Sequence, residues 1–209
     1  MNSFNRISRL ALVLLLGNLV MACSSQPIII NYYLLNISEP TKAQLKANPN
    51  DTSILITDIL LPDYLSGSNL VMQQTNGTLS VATKHVWAQP LDSGFGTLLA
   101  NSLSQYDDLT GYYAARSGNI MERFSTKDDI QLAVIIEHFM PIESGEVVLT
   151  GYWQISMQGV VEKPNRFDLK ASLTADGYIH SVDKMRELVQ DLASVIKAQL
   201  VKERSSIRS

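Results

Sequence analysis

The chain has one cysteine, Cys23, and its position limits what the rest can become. A single thiol can close no internal disulfide, build no Cys-based metal cage and form no dithiol redox pair, so the fold has to rest on its hydrophobic core. Ahead of Cys23 runs a leader with Arg6 and Arg9 near its start and no acidic residue before position 39. Leu10–Leu16 is its apolar centre, Gly17 and Asn18 weaken a continuing helix, and Val20-Met21-Ala22-Cys23 sets a small residue before the cysteine. This is the layout of a secretory signal peptide with a small residue before the cut. The stretch from Leu10 to Ala22 is 13 residues, short of the ~20 needed to cross hydrocarbon.

The remainder is sized for one domain. The whole chain is 209 residues and 45% hydrophobic, with 18% charged residues, which excludes disorder over most of its length. The expected division is 1–22 signal peptide, 23–27 N-terminus and short tether, and 28–209 a single α/β domain. Loss of Arg6 and Arg9 with the leader takes the net charge from −3 to −5 over 187 residues. A chain of that sign, with aromatics unclustered with bases, is not a nucleic-acid binder and is not drawn to anionic lipid by charge.

Hydrophobic periodicity predicts a mixed β-sheet with helices packed on it. Ile28–Leu35 reads as a first strand and Ser53–Leu60, apolar on both faces, as a central one. Leu70–Thr75 and Thr78–Ala82 flank Asn76-Gly77, a strong hairpin signal. Asp92 or Ser93 is expected to cap a helix with Leu91, Phe95, Leu98, Leu99, Leu103 and Tyr106 on one face. A short strand falls near Tyr112–Ala115 and a buried strand over Ile130–Met140. Glu146–Gln158 alternates best: Val147, Leu149, Gly151, Trp153, Ile155 and Met157 point inward, and the other face is wet apart from Val148. Phe167–Thr174 can pair with it, Asp176-Gly177 turns, and Ser181 opens a final helix striped by Met185, Leu188, Val189, Leu192, Val195, Ile196 and Leu200. The order β-β-β-β-α-(β)-β-β-β-α is not that of a doubly wound nucleotide fold.

No catalytic constellation emerges. His85, His138 and His180 form neither an H-x-x-x-H nor an H-E-x-x-H pair. His138 reads as a satisfied core or edge imidazole and His180 as solvated. Ser93, His85 and Asp92 could be assembled into a triad on paper, but no G-x-S-x-G elbow accompanies them. Gly94-Phe95-Gly96 lacks the features of a phosphate loop, and Asp107-Asp108 and Asp128-Asp129 read as solvated turn pairs. Trp153 faces the core, Trp87 stands where it can clamp the helix start, and Tyr152 points outward as a contact candidate. No metal site, catalytic group or cofactor is expected.

Val20-Met21-Ala22-Cys23 resembles the bacterial lipobox. That resemblance implies diacylglyceryl transfer to the Cys23 sulfur, cleavage after Ala22 and acylation (palmitate or a similar chain) of the new amine. Ser24, in place of the Asp that retains enterobacterial lipoproteins in the inner membrane, implies the periplasmic face of the outer membrane. Farther on, Tyr32-Tyr33-Leu34-Leu35, Leu61-Pro62-Asp63-Tyr64-Leu65, Leu70-Val71, His85-Val86-Trp87-Ala88-Gln89-Pro90-Leu91-Asp92, Gly151-Tyr152-Trp153 and Asp176-Gly177-Tyr178 stand in order and spacing similar to the ABC-type transport auxiliary lipoproteins. The resemblance covers nearly the whole mature chain. It implies a fold like the TolB N-terminal, anticodon-binding-like architecture and a non-enzymatic accessory role.

Such an accessory docks an envelope-spanning MCE protein and, through it, an integral inner-membrane protein. The system would move phospholipids or other hydrophobic molecules and support membrane integrity, and a homo-oligomeric ring would match a symmetric tube. Asp63, Tyr64, Trp87 and Tyr152 are the candidate partner surface. Two other readings stay open at this point: a periplasmic lipid-carrying lipoprotein with its own cavity, and an envelope hydrolase.

Overall fold

The computed structural model describes residues 27–37, 54–105, 114–116, 130–157 and 159–207. The signal-like leader, Cys23, Tyr106, Tyr112 and both Asp-Asp pairs lie outside the described residues.

Among the described residues, nine strands form one mixed sheet around a long central pair. β6 (Ile130–Ile142) and β7 (Glu146–Met157) are antiparallel along their whole length, from Ile130 opposite Met157 to Ile142 opposite Glu146. β9 (Asn165–Ser172) takes the other edge of β7, and β8 (Val160–Val161) closes its end against Ser156 and Met157. The free edge of β6 is shared. β2 (Ile54–Leu60) runs parallel along Ile130–Ile135, and β3 (Asn69–Gln73) meets the same edge farther on, where Gln73 faces Ile142. β5 (Ala114–Arg116) lies outside β2. β3 and β4 (Leu79–Trp87) make the hairpin signalled by Asn76-Gly77, with Gly77 at φ +84, a left-handed position that suits glycine. β1 (Asn31–Tyr33) is an edge strand parallel to β4.

The two helices among the described residues pack on one face of the sheet and against each other. α1 (Leu91–Ser104) buries Leu91, Phe95, Leu98, Leu99 and Leu103, and the Phe95 ring meets Phe139 of β6 edge-on at 5.4 Å. α2 (Tyr178–Ile207) buries Met185, Leu188, Val189, Leu192, Ile196 and Leu200. These side chains join the inner residues of β6, β7 and β9 in one continuous core, the condition for a chain without disulfides to hold together.

Several local expectations are corrected. β1 is shorter than Ile28–Leu35, whereas β4 continues past Ala82 to Trp87. The α1 N-cap is Pro90, with no side-chain cap bond, so neither Asp92 nor Ser93 caps it; Asp92 instead places an acidic group in the first turn, where the helix dipole favours it. α2 starts at Tyr178, right after Gly177 (φ +112), and Ser181 lies inside it, its hydroxyl donating back to the Gly177 carbonyl at 3.2 Å. Val195 is exposed despite its place in the apolar stripe. β6 alternates rather than being buried throughout, with Gln131, Ile135 and His138 exposed. On β7, Thr150 joins Val148 as a buried residue of the outer face.

Candidate functional site

The sheet face away from the helices carries the polar chemistry. Cross-strand register fixes who meets whom there: Tyr152 stands between Ile135 and Arg166, and Thr150 between His138 and Asp168. The β6–β7 register slips between Ile136 and His138, leaving Glu137 as an extra residue whose backbone is free to serve a neighbour. Tyr64, delivered by the 3-10 turn Asp63–Leu65, uses it: its hydroxyl donates to the Glu137 carbonyl at 2.7 Å. Burial holds the Tyr64 phenol above its usual pKa, which keeps it a donor.

The Glu137 side chain turns to the other partner. Arg166 Nη1 lies 3.3 Å from Glu137 Oε2 and donates to the Tyr152 hydroxyl at 2.8 Å, while its guanidinium carbon stands 5.3 Å from the Tyr152 ring centroid. The Tyr152 hydrogen bond, then the charge of Glu137, raises the guanidinium pKa further, so it is cationic at any working pH. A pair this exposed is screened by solvent and contributes little to stability. Its value is positional, because it holds Arg166, Tyr152 and Glu137 together as a platform on the sheet. Tyr and Arg are the residue types that concentrate binding energy at protein interfaces. His138 stands on the same face, its Nδ1 2.9 Å from Thr150 Oγ1, so it is satisfied but exposed rather than core.

Of the four residues expected to form a partner surface, the structure links Tyr64 and Tyr152 through Glu137, and Asp63 is exposed beside Tyr64. Trp87 does not join them. It is 7% exposed and packs into the core at the end of β4, because the strand runs on to meet α1. Glu137 and Arg166 went unnoticed in the sequence. Their signal would have been the outward phase of strands whose pairing only the fold reveals.

His85 is also committed. Its ring stacks on Tyr178 of α2 at 3.7 Å and its Nδ1 is hydrogen-bonded to the Tyr33 hydroxyl at 2.8 Å, so that nitrogen is engaged by tyrosine and not by a carboxylate. The cluster ties β1, β4 and α2 together. His180 is exposed in the first turn of α2.

On the helix side, a cleft of about 320 Å³ opens between the β3–β4 hairpin, the β6–β7 turn and the start of α2. Leu70, Val71, Trp87, Leu91, Phe139 and Met185 make it largely apolar. Glu143, at its rim, accepts from the Thr75 backbone N–H at 2.8 Å and hydroxyl at 3.0 Å, which clips the two turns together. Those bonds, the backbone one first, hold its carboxyl below the usual range.

Residues 33–197 match the family model described as the ABC-type transport auxiliary lipoprotein component. The chain belongs to that family. Among curated relatives of this auxiliary lipoprotein are those named intermembrane transport lipoprotein PqiC in Escherichia coli (strain K12) and Shigella flexneri, each 30% identical over 175 residues, 83% of either chain. The auxiliary lipoprotein fold is also seen in a crystal structure of an uncharacterized protein (TM-score 0.67, 24% identity, 82% of this chain and 99% of that one). A Xanthomonas campestris protein has it too (TM-score 0.60, 13% identity, 86% and 99%). Both confirm the mixed sheet with two helices packed on it. The family is one of transport auxiliaries rather than enzymes.

Proposed function

We propose that this chain is an accessory lipoprotein of an intermembrane transport system of the cell envelope, and that it works by docking rather than by chemistry. The observation that carries this is the 30% identity, over 83% of both chains, to a protein named an intermembrane transport lipoprotein. Cys23 is the acylated residue, freed by cleavage after Ala22, and the mature chain is held at the periplasmic face of the outer membrane, with 28–209 as one domain. One acyl chain anchors only marginally, but each buried methylene adds about 0.8 kcal/mol, so several chains make the attachment permanent on the cell's timescale.

The partner in this reading is an envelope-spanning MCE-domain protein, itself held by an inner-membrane protein. A homo-oligomer of the lipoprotein meets its end. The Tyr64–Glu137–Arg166–Tyr152 platform is the surface offered to it. No catalysis is assigned, since His85 and His138 serve as structural partners of Tyr33 and Thr150. The test is copurification from detergent-extracted membranes. Arg166→Glu with Tyr152→Ser should lose the partner while the protein stays folded and in the membrane. Wild-type recovery of the partner would remove the platform from the docking role.

The cleft favours one second reading, a lipid-carrying role. An acyl chain spanning half of a bilayer core is about 15 Å long and about 4.5 Å wide, about 240 Å³ in all. The 320 Å³ cleft therefore matches one chain rather than a whole two-chain lipid. Native mass spectrometry with a bound single-chain lipid would support it, and a bare polypeptide would not.

A further inference from the structure

The segment that leads into the sheet shows apolar side chains to solvent in a way the core cannot use. Ile28, Ile29, Ile30 and Tyr32 are 72%, 71%, 45% and 68% exposed, and Leu34 and Ile37 are exposed as well. Contiguous apolar exposure on a soluble domain marks a binding or membrane-contact surface.

The exposure is built in. Tyr33 points inward to His85 and Tyr178, Leu35 is fully buried, and the Ala88 N–H donates to the Tyr33 carbonyl at 2.8 Å. From α2, Arg186 donates through Nη2 to the Leu34 carbonyl at 2.9 Å and through Nε to the Leu35 carbonyl at 3.0 Å, while Asp183 holds its other arm. With the inward half of the segment bolted down, the outward half is presented rather than left to collapse.

The chain's own layout says what meets it. Four residues, Ser24–Pro27, separate Cys23 from Ile28. At ~3.6 Å per residue they reach roughly 15–20 Å, so an acylated Cys23 keeps the isoleucines at the membrane surface. A net charge of −5 on the mature chain gives the domain no electrostatic hold on anionic lipid. A second copy is a poor occupant, because β1 pairs over only three residues and offers little edge to extend.

We propose that Ile28–Ile30 and Tyr32 enter the interfacial layer of the bilayer that holds the Cys23 acyl chains. The anchor then has two points, and the domain is fixed in orientation instead of swinging on its tether. Branched aliphatic side chains supply the buried apolar area, and the tyrosine ring suits the headgroup level. The proposal rests on the reading of Cys23 as the acylated residue.

The test uses the full processed protein carrying Ile29→Cys. With Cys23 acylated, the new thiol is the only one, and it takes an environment-sensitive dye. In phosphatidylethanolamine–phosphatidylglycerol vesicles containing nitroxide-labelled lipid, the dye at position 29 should be quenched at least about threefold more than one at Val160→Cys on exposed β8. Equal quenching overturns the proposal. It is also overturned if Ile28→Ser with Ile29→Ser and Ile30→Ser splits an oligomer while Tyr32→Cys stays unquenched, since a second copy would then own the patch. Intact mass of the same sample reports acylation separately. A bare Cys23 defeats the anchor reading, and co-sedimentation of that product with vesicles, lost in the triple serine variant, still decides on the patch.

Discussion

Gly151 is where the fold tolerates least. A Cβ built there would stand 2.1 Å from the Ile135 carbonyl oxygen and 3.0 Å from Cζ of Phe167, with Ile135 behind it and β9 in front. No rotamer relieves the first contact, because both atoms belong to backbone or are rigidly attached to it. Gly151→Ala therefore pushes β6 and β7 apart next to the Ile136–His138 register slip, in the middle of the longest pairing in the sheet. Overpacking of this kind costs about 1–3 kcal/mol, and one or two weakened ladder bonds add about 1 kcal/mol each. For a chain of this size a loss of about 3 kcal/mol lowers the melting temperature by about 6–12 °C. Thermal unfolding followed by circular dichroism on the mature protein measures it. Gly67→Ala is the control, since a Cβ there meets nothing within 4 Å and the change should be close to neutral. If Gly151→Ala melts within about 2 °C of the parent, the pairing register assigned to β6 and β7 is wrong.

Two other substitutions test separate parts of the structure. Arg186→Met removes the donors to the Leu34 and Leu35 carbonyls. Each lost charged bond is worth about 1.5–3 kcal/mol locally, so amide exchange at residues 31–37 should accelerate at least tenfold while that of β6 and β7 stays unchanged. Asp191 has its carboxyl held above the usual range by burial first and then by Glu187 one turn earlier. A raised acid pKa in the folded state means that the penalty is absent below the ordinary carboxylate range and grows as pH rises through it. Asp191→Asn should thus raise the urea midpoint slightly at pH 7, by an amount equivalent to about 0.2–0.5 kcal/mol, with no gain at pH 3. A gain of the same size at both pH values would contradict that cause.

What the sequence revealed follows from how local each signal is. The alternation of Glu146–Met157 and the 3.6-residue stripe of α2 depend on which face is dry, and both are visible in one window of residues. Asn76-Gly77 marks its hairpin because the turn itself demands those residue types. The second half of β4 was lost to Thr83, Lys84 and His85, polar residues that look like loop when β1, which pairs with His85–Trp87, is out of view. β8, two residues long, is too short to show a period. Ser181 looks like a cap because serine is a good one, yet the turn at Gly177 starts the helix earlier and leaves that hydroxyl to bond backward.

The candidate site divides in the same way. Tyr152 was legible from the phase of β7. Trp87 was misplaced because its burial depends on β4 reaching α1. Glu137 and Arg166 are 29 residues apart and meet only through β7, by way of a bulge that no single-strand pattern encodes.

The envelope role proposed for this chain stands or falls on the modification at Cys23. Intact-mass analysis of the protein extracted from membranes of cells making it at native level is the direct measurement. The expected result is one product that begins at residue 23 and is heavier than the bare polypeptide by a diacylglyceryl group and an amide-linked acyl chain. A product with a free Cys23 thiol, or one still carrying residues 1–22, would contradict it.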